Sequence, residues 1–397
     1  MGRTSNSMLM NLLIVGNFAP DRQESMLRFE RMLHTGMASR GHQVETLSPQ
    51  PRFTRLVRQY RYGGFPKYLG YLDKFIVFPR QLRGRVTNGR TDIVHVVDQS
   101  NAVYARGFGR SAVLCTCHDL LQIRAALGEL PMQRVSAAGR RFQGWILANM
   151  KRLPHAVCPS YKSREDLIRI AQLPVEKTSV IHNGLNFPYK PIAPTASGPI
   201  IKGIFERMDI PAKRRPTVDS GFWLNVGGAH WYKNRRGVLG IYGELGRLRP
   251  DLGPLVMVGE PLSPEDAAEA DSLGVGSKIV TIRGIAETEL QALYSAADGL
   301  LFPSWEEGFG WPIAEAQACG CLVITSNRPP MTEVGGDAAI FVDPSDPIAA
   351  ARMIVSAWDD RKLLRQRGLE RAREWAPERM FADYEGLYTR LAGTKDR

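Results

Sequence analysis

Residues 299–326 constrain the fold of this chain strongly, because two short apolar runs in this segment flank a glycine turn and a helical pattern. The first run, GLLFPS, ends at Ser304, and the second, CLVITS, begins at Cys321. Between them, Pro312 stands at the start of the helical pattern and Gly320 just past its end, as is usual for proline and glycine at helix termini. The segment therefore predicts a strand, a glycine loop, a helix and a second strand.

Similar apolar runs recur along both halves of the chain. They are NLLIVG, HQVETLS, TDIVHVV, SAVLCTCHD, HAVCPS and TSVIHNGL in the first half, and FWLNVGG, PLVMVGE, KIVTIRG, GLLFPS, CLVITS and AAIFVD in the second. Nearly continuous apolar runs separated by helical patterns are typical of parallel sheets covered on both faces. Stretches rich in proline, glycine and serine at 186–199 and 210–221 predict a boundary between two α/β domains. We expect domains at 1–205 and 206–375, followed by a last helix within 376–397.

Length and composition fit this two-domain interpretation. A chain of 397 residues is too long for one ordinary domain. It contains no uncharged apolar run approaching about eighteen residues, so we expect no transmembrane helix. The N-terminus lacks a small-residue cleavage site, so we expect the protein to stay in the cytoplasm. The five cysteines form two C-x-C pairs and no C-x-x-C pair, which predicts reduced core residues and no metal site.

The glycine loop is itself a candidate binding site. A helix N-terminus behind Gly308 and Gly310 directs backbone N–H groups and the positive end of the helix dipole towards a phosphate. Glu307 lies in the turn and Glu315 lies eight positions later, inside the helix. Carboxylates repel a diphosphate but accept hydrogen bonds from sugar hydroxyls. The combination predicts a site for a nucleotide-sugar.

The segment SWEEGFGWPIAEAQACGCLVITS resembles the donor-site signature of retaining glycosyltransferase family 4, in which two glutamates flank a G-F-G turn. The resemblance continues through EVGGDAAIFVDPSDP and is patchier before the linker. It implies an α/β fold of the GT-B type, with two Rossmann-like doubly wound domains facing a central cleft and the last helix crossing back to the N-terminal domain. Ligands of such sheets bind at the carboxyl ends of the strands.

The resemblance also implies a function. The chain would transfer a sugar from a UDP- or GDP-linked donor to a glycan or lipid-linked glycan, with retention, as in cell-surface polysaccharide synthesis. The nucleotide-sugar would be a substrate, so no cofactor is expected. No metal is expected either, in agreement with the absence of a convincing D-x-D pair in a loop.

Family roles transfer to several residues of the signature. Glu307, with Gly308, Phe309 and Gly310 around it, would bind the donor sugar. Glu315 would bind the ribose.

Lys233 follows the strand run that ends NVGG, and in the family a lysine here binds the diphosphate and stabilises the leaving nucleotide. The family usually carries an arginine earlier in this loop, but this chain has Gly228 after the strand and Tyr232 before the lysine, where arginine is frequent. His230, Arg235 or Arg236 could compensate for it, and the sequence does not distinguish among the three.

Two positions in the N-terminal half are further candidates. His118 ends a strand, and the resemblance places a histidine there against the donor sugar near the anomeric centre. The alternative is a core or capping histidine, with Asp119 as a plausible helix N-cap. Gly16 closes the first strand, where relatives carry a phosphate or acceptor loop, and Ser25 and Arg28 could line the same region.

Two strand ends in the C-terminal half complete the set of donor-site candidates. Ser326, followed by Asn327, could direct backbone N–H groups to the phosphates. Arg283 and Gly284 lie where relatives bind the base, mostly through the backbone.

Residues 51–90 form a basic, aromatic segment with ten Lys or Arg residues against one acid, Asp73, so the segment carries +9 of the net +12. Its aromatic residues are Phe53, Tyr60, Tyr62, Phe65, Tyr68, Tyr71, Phe75 and Phe78. This composition favours an anionic membrane surface, which would make the protein peripheral on the inner face of the membrane. A polyanionic or lipid-diphosphate acceptor also fits, and no nucleic-acid motif is present. The alternative is a solvated basic loop with its aromatic residues packed inward.

Two other functions stay open. A nucleotide-sugar epimerase of the same fold would release a free isomer without an acceptor. A non-catalytic protein that binds anions or membranes would explain the basic segment but not the glutamate-flanked glycine loop. A nicotinamide-dependent dehydrogenase is excluded, because NLLIVGNFAPD lacks G-x-G-x-x-G after the first strand.

Overall fold

The chain folds into two compact units. The computed structural model describes residues 9–57, 64–88, 90–106, 108–217 and 220–393. The first unit comprises Met1–Asn186 and Pro377–Arg397, and the second comprises Phe187–Ala376. Each unit contains one six-stranded sheet in which all strand pairs are parallel.

The sheet of the first unit has the order β2-β1-β3-β4-β5-β6. Its strands are β1 (Asn11–Val15), β2 (Gln43–Leu47), β3 (Ile93–Val96), β4 (Ala112–Thr116), β5 (Ala156–Cys158) and β6 (Thr178–Val180). Its helices are α1 (Glu24–Ser39), α2 (Gly64–Leu72), α3 (Phe78–Asn88), α4 (Leu121–Ala126), α5 (Ala137–Met150) and α6 (Tyr161–Ala171), and a π-helical turn at Asp73–Val77 joins α2 to α3. The central strands are buried along their whole length because helices cover the sheet.

The sheet of the second unit has the order β12-β11-β10-β7-β8-β9. Its strands are β7 (Trp223–Val226), β8 (Leu255–Val258), β9 (Ile279–Ile282), β10 (Gly299–Phe302), β11 (Val323–Ser326) and β12 (Ala339–Val342). Its helices are α7 (Pro194–Arg207), α8 (Arg235–Leu248), α9 (Pro264–Ser272), α10 (Glu287–Ala296), α11 (Trp311–Ala318), α12 (Met331–Gly335), α13 (Pro347–Ser356) and α14 (Arg361–Arg371). The predicted α/β class with two doubly wound parallel sheets is confirmed.

The last helix, α15 (Pro377–Gly393), belongs to the first unit. Its Tyr384 and Tyr388 are each 1% exposed. The Tyr388 hydroxyl lies 2.7 Å from Nδ1 of His95 on β3, and the Tyr384 hydroxyl lies 3.2 Å from Oγ1 of Thr116 on β4. The C-terminal helix is thus part of the core of the N-terminal unit.

The boundary between the units lies at the start of the predicted linker at 186–199, and therefore earlier than the division predicted at residue 205. The predicted division between residues 205 and 206 falls inside α7, whereas the second unit begins at Phe187. Helix α7 packs against α10, and the guanidinium of Arg207 pairs with the Glu289 carboxylate at 2.8 Å. These contacts assign the whole of α7 to the second unit.

Three other sequence predictions concern membrane spans, metals and cysteines. Within the described ranges, no helix combines the length and the apolar character that crossing a bilayer requires. The same ranges contain no group of three or more His, Cys, Asp or Glu side chains arranged to hold a metal ion. All five cysteines are buried and unbridged, as predicted. Burial raises the pKa of Cys115 and of Cys321, which keeps these thiols protonated.

Candidate functional site

The strand order of the second sheet reverses between β7 and β10. Loops that follow strands on either side of such a reversal lead away in opposite directions and leave a crevice at the carboxyl ends. The loop after β7 leads to a short helical turn at Trp231–Lys233, and the loop after β10 leads to Glu307. Two segments that are distant in sequence therefore meet at the switch point.

Hydrogen bonds to backbone carbonyls fasten these two loops together. The Trp305 N–H donates to the Tyr232 carbonyl at 2.7 Å, and Nδ2 of Asn234 donates to the Pro303 carbonyl at 2.9 Å. Asn234 adopts a left-handed conformation, with φ of 51°, and its Oδ1 caps α8 by accepting from the Gly237 N–H. The position of Lys233 is therefore fixed by its neighbour.

Lys233 and Glu307 form an ion pair at this point. Nζ of Lys233 lies 2.7 Å from Oε1 and 3.0 Å from Oε2 of Glu307, with side-chain exposures of 17% and 9%. The ammonium also lies 5.0 Å from the ring centre of Phe302 and 5.5 Å from that of Tyr232, within the range of cation–π attraction. A ligand that carries both a diphosphate and hydroxyl groups can take over both halves of this pair.

The glycine loop between Glu307 and α11 is anchored by Phe309. Its ring is 4% exposed and meets Trp375 edge to face at 5.4 Å between ring centres. Gly310 has φ of 102°, a conformation that L side chains rarely adopt, and it starts α11 without a side chain that could cap the helix. Phe309 thus positions Gly308 and Gly310 by packing.

Glu315 lies inside α11 and is 5% exposed. The Tyr294 hydroxyl donates to its Oε2 at 2.9 Å. Burial, together with the nearby Glu315 charge, raises the pKa of Tyr294, so the phenol remains a donor. The second glutamate of the signature is therefore held by a tyrosine of α10, in contrast to Glu307, which is held by a lysine.

The two remaining donor-site candidates differ in exposure. Ser326, at the end of β11, is fully buried, and its hydroxyl donates to the Ser304 carbonyl at 2.5 Å. Its side chain therefore ties the ends of β10 and β11 together. Arg283 is exposed and follows β9, which is the outer strand of the sheet.

The first sheet has its own switch point, between β1 and β3, which the sequence predictions marked only through Gly16. A Cβ atom at Gly16 would lie 2.0 Å from Oε2 of Glu30, so a larger residue would have to displace the Glu30 carboxylate. Burial raises the pKa of Glu30. Nδ2 of Asn17 donates to Asp98 at 2.6 Å, and Nδ2 of Asn101 donates to Asn17 at 2.8 Å.

Asn17, Asp98 and Asn101 were missed by sequence reasoning. A signal for them was present, because Asn17 and Asp98 each come shortly after an apolar run. Their pairing depends on β1 and β3 being neighbours.

His118 is buried in the first unit. Its Nε2 lies 2.9 Å from the Val97 carbonyl, which can only accept, so Nε2 carries the proton. Burial lowers the pKa of His118, and the imidazole is neutral near neutral pH. Asp119 accepts from the Leu121 N–H at 3.0 Å, but the N-cap of α4 is Leu120, so Asp119 lies one residue before the capping position predicted for it. Ser25 is exposed in the first turn of α1.

The basic, aromatic segment divides into an internal and an exposed part. Asp73, fully buried, accepts from the backbone N–H groups of residues 52–54, and Lys74 pairs with Asp21 at 2.7 Å. Phe78 is 1% exposed, whereas Tyr68 is 60% exposed.

Other members of this segment follow the same division. Tyr71 stacks on Phe142 at 5.0 Å, and Phe53 is 39% exposed. Arg58, Tyr60, Arg61 and Tyr62 lie outside the described residues, as does the side chain of Phe65.

Comparisons with known proteins identify relatives of both halves of the chain. The family model "Glycosyltransferase Family 4" matches residues 28–187, and "Glycosyl transferases group 1" matches residues 207–375. O-antigen chain mannosyltransferase B of Escherichia coli is 29% identical over 54% of this chain and 55% of the relative. O-antigen chain mannosyltransferase RfbU of Salmonella typhimurium is 24% identical over 60% of this chain and 63% of the relative. The chain thus spans between about half and two-thirds of the length of these curated relatives.

Solved structures resemble the chain over almost its whole length. Sucrose-phosphate synthase from Thermosynechococcus elongatus has a TM-score of 0.72 at 17% identity and covers 97% of this chain and 100% of its own. HepE of Anabaena, solved in complex with UDP and glucose, has a TM-score of 0.68 at 17% identity and covers 96% of this chain and 99% of its own. At these identities the likeness shows a shared fold.

Proposed function

This chain belongs to the glycosyltransferases of the family 4 type, with the GT-B fold, and we propose that it transfers a hexose from a nucleotide diphosphate sugar to a glycan or lipid-linked glycan acceptor. Two curated relatives are named O-antigen chain mannosyltransferases, which supports mannose as the sugar and cell-surface polysaccharide as the product. The transfer retains the anomeric configuration. It requires no resident metal or cofactor, and the nucleotide sugar is a substrate.

The observation that carries this proposal is the Lys233–Glu307 pair at the switch point of the second sheet. A bound diphosphate replaces Glu307 as the partner of Lys233, and the ammonium then stabilises the charge that develops on the leaving nucleotide. Glu307, released from the lysine, accepts hydrogen bonds from sugar hydroxyls. Glu315 and the Gly308–Gly310 turn complete the nucleotide side of the site, together with Ser326 at the end of β11 and Arg283 after the outer strand β9.

His118 is proposed to accept a hydrogen bond from a sugar hydroxyl. Its Nε2–H is directed at the Val97 carbonyl, so Nδ1 has the lone pair that such a contact needs. Because burial lowers the pKa of His118, the ring stays neutral and does not add positive charge next to the reacting sugar. Gly16 leaves room for the loop after β1, which is proposed to face the donor or the acceptor.

The acceptor proposal rests on residues 51–90. The exposed side chains of this segment include Tyr68, Leu56 and the cations Arg55 and Arg83. Exposed apolar and cationic side chains suit an anionic membrane, where each cation adds about 1 kcal/mol of attraction. We propose that this surface brings the protein to a membrane that holds a lipid-linked acceptor.

A panel of nucleotide sugars tests the proposed activity. Thermal unfolding is recorded with GDP-mannose, UDP-glucose, UDP-galactose and UDP-N-acetylglucosamine, and stabilisation by GDP-mannose is expected because only a bound ligand shifts the folding equilibrium. The variant Lys233→Ala should lose this stabilisation, most strongly at low salt, because salt screens a charge pair.

Release of nucleoside diphosphate that depends on an added glycan acceptor would establish the transfer. A free sugar nucleotide isomer formed without an acceptor would instead indicate an epimerase. No stabilisation by any donor would contradict the proposal.

A further inference from the structure

We infer that His230 is the second cationic group for the donor diphosphate and that it makes donor binding depend on pH. This inference rests on the proposed function, because it assigns a residue to the same diphosphate. Gly228 leaves the loop after β7 without a side chain at the position where an arginine is usual in the family. Three nearby side chains could supply the missing charge, namely His230, Arg235 and Arg236.

Arg235 already donates hydrogen bonds to backbone carbonyls within the second unit. It is 7% exposed, and its Nη1 donates to the Pro261 carbonyl at 2.8 Å while Nη2 donates to the Glu260 carbonyl. Burial lowers the pKa of Arg235, as expected of a guanidinium enclosed by backbone. Its two terminal nitrogens fasten α8 to the loop after β8, so this arginine cannot turn to a ligand without breaking those bonds.

Arg236 is directed elsewhere. Its side chain is 65% exposed, and its Nε lies 3.9 Å from the carboxylate of Asp266 in the first turn of α9. Such an exposed pair contributes little to a binding site and is screened by salt.

The exposed imidazole of His230 lies beside the position that a side chain at residue 228 would take. A Cβ atom at Gly228 would lie 3.5 Å from Cδ2 and 4.0 Å from Nε2 of His230. The ring is held there by parallel stacking on Tyr232, with 5.3 Å between ring centres and 3° between planes. The same Tyr232 ring lies 5.5 Å from Nζ of Lys233. His230 and Lys233 therefore both contact the Tyr232 ring, and Lys233 also pairs with Glu307.

A histidine in this position differs from an arginine in one measurable way. An imidazole side chain changes its charge between about pH 5 and pH 8, whereas a guanidinium stays charged. When protonated, the ring donates a charge-assisted hydrogen bond to a phosphate oxygen. The titratable groups around it are Tyr232, in ring contact, Lys233, and Glu307, which neutralises Lys233 until a ligand binds. A diphosphate adds negative charge and so favours the protonated imidazole.

The test is calorimetric titration of GDP-mannose and UDP-glucose between about pH 5.5 and about pH 8.5, the range in which a histidine changes charge. Both probes are diphosphate diesters and have no proton to lose in this range, so a change in affinity reports on the protein. Wild-type affinity for the donor that binds should fall by about tenfold as the pH rises, the size expected for one charge-assisted hydrogen bond.

Substitutions separate binding from a structural role. His230→Gln should bind about tenfold more weakly at low pH and show a flat profile, because the amide has no charge to gain. His230→Arg should keep the high affinity and also give a flat profile. The double substitution Gly228→Arg with His230→Ala should behave like His230→Arg, since the arginine then occupies the vacated space. Arg236→Ala, which changes a neighbouring exposed cation, should keep both the affinity and the pH profile of the wild type.

Two results would overturn the inference. If His230→Gln reproduces the wild-type affinity at every pH, His230 does not bind the diphosphate, while the proposed function stands because the wild type binds a donor. If the wild type binds neither probe at any pH, the proposed function itself fails and the inference fails with it.

Discussion

The carboxyl edges of the two sheets are built in opposite ways. In the second unit, the switch point holds an ion pair between Lys233 and Glu307, whose side chains keep some exposure to solvent. In the first unit, the switch point holds Asn17, Asp98 and Asn101, which are 2%, 3% and 5% exposed and bonded to one another. One edge presents charges that a ligand can take over, and the other consists of amides and a carboxylate that hold loops in place.

This difference teaches what a substitution at each edge should change. A buried, satisfied network costs stability when one member is lost, because the remaining groups have no other partner. A partly exposed ion pair contributes little to stability and can be exchanged for a ligand. Substitutions near the first edge should therefore lower the free energy of unfolding, and substitutions at the second should lower ligand affinity or turnover.

The largest expected effect is a loss of stability in the first unit. Tyr384→Ala removes a ring that is 1% exposed and touches Thr116 and His95, and it should lower the free energy of unfolding by about 3–5 kcal/mol, as for other large aromatic truncations. Denaturant unfolding measures this loss. Tyr68→Ala, at a side chain that is 60% exposed, is the control and should change stability by less than about 0.5 kcal/mol. Equal effects of the two substitutions would contradict the packing role of the last helix.

The reverse pattern is expected at Glu307. Glu307→Ala removes the acceptor proposed for donor hydroxyls and should lower the turnover of sugar transfer ten- to hundredfold, about 1.5–3 kcal/mol. Its free energy of unfolding should change less than that of Tyr384→Ala, because the Lys233 side chain left behind is 17% exposed and can be hydrated. Steady-state kinetics and denaturant unfolding of the same preparation provide the two readouts. Unchanged turnover in a folded variant would remove Glu307 from the site.

A pH dependence of stability is expected for the first unit. Burial lowers the pKa of His95 from 6.5 to about 3. Below about pH 6.5, His95 therefore binds a proton in the unfolded chain but not in the folded chain. The free energy of unfolding consequently decreases as the pH falls towards 3. Between pH 7 and pH 5 the loss from this one group is about 2 kcal/mol.

Comparison with His95→Gln isolates this contribution. Urea unfolding at the two pH values should show a smaller difference for the variant than for the wild type, because glutamine does not titrate. An identical difference in both proteins would mean that His95 is not the group responsible. His155, whose pKa burial lowers to about 4, acts in the same direction and remains in both proteins.

The smallest expected effect, about 1 kcal/mol per cation, concerns the exposed part of residues 51–90. Reversing Arg55, Arg80 and Arg83 to Glu should abolish flotation with anionic liposomes at low salt, while stabilisation by nucleotide sugars persists.

A matched variant in the second unit, with three exposed cations reversed, should float like the wild type; its cations are Lys202, Arg247 and Arg352. Flotation that survives the first reversal, or that never occurs in the wild type, would show that the segment is a solvated basic surface.

Much of the fold follows from local sequence signals. Each apolar run predicts a strand that the structure contains, because a short, nearly continuous apolar run such as NLLIVG suits a strand buried inside a sheet. The exact position of the domain boundary was harder to predict from the sequence. The end of the proline-, glycine- and serine-rich stretch at 186–199 forms the start of α7, with Pro199 inside the helix, because packing against α10 outweighs composition.

The candidate site could also be predicted only in part from the sequence. Lys233 and Glu307 were predicted one at a time from loops that follow strands, but their pairing depends on β7 lying next to β10. The partners of Asn17 and of Glu315 likewise come from other strands and helices. Local patterns identify which residues stand at a strand end. Only the order of the strands decides which of them meet.

The position of the last helix has a consequence for how the protein is made. Tyr384 and Tyr388 complete the core of the first unit, yet the ribosome translates them after all of Phe187–Ala376. At roughly 5–20 residues per second, the nascent first unit waits on the order of ten to forty seconds with that part of its core uncovered. During this interval the apolar surface around His95 and Thr116 is available to chaperones. A gene fragment that stops at residue 186 would leave it uncovered permanently.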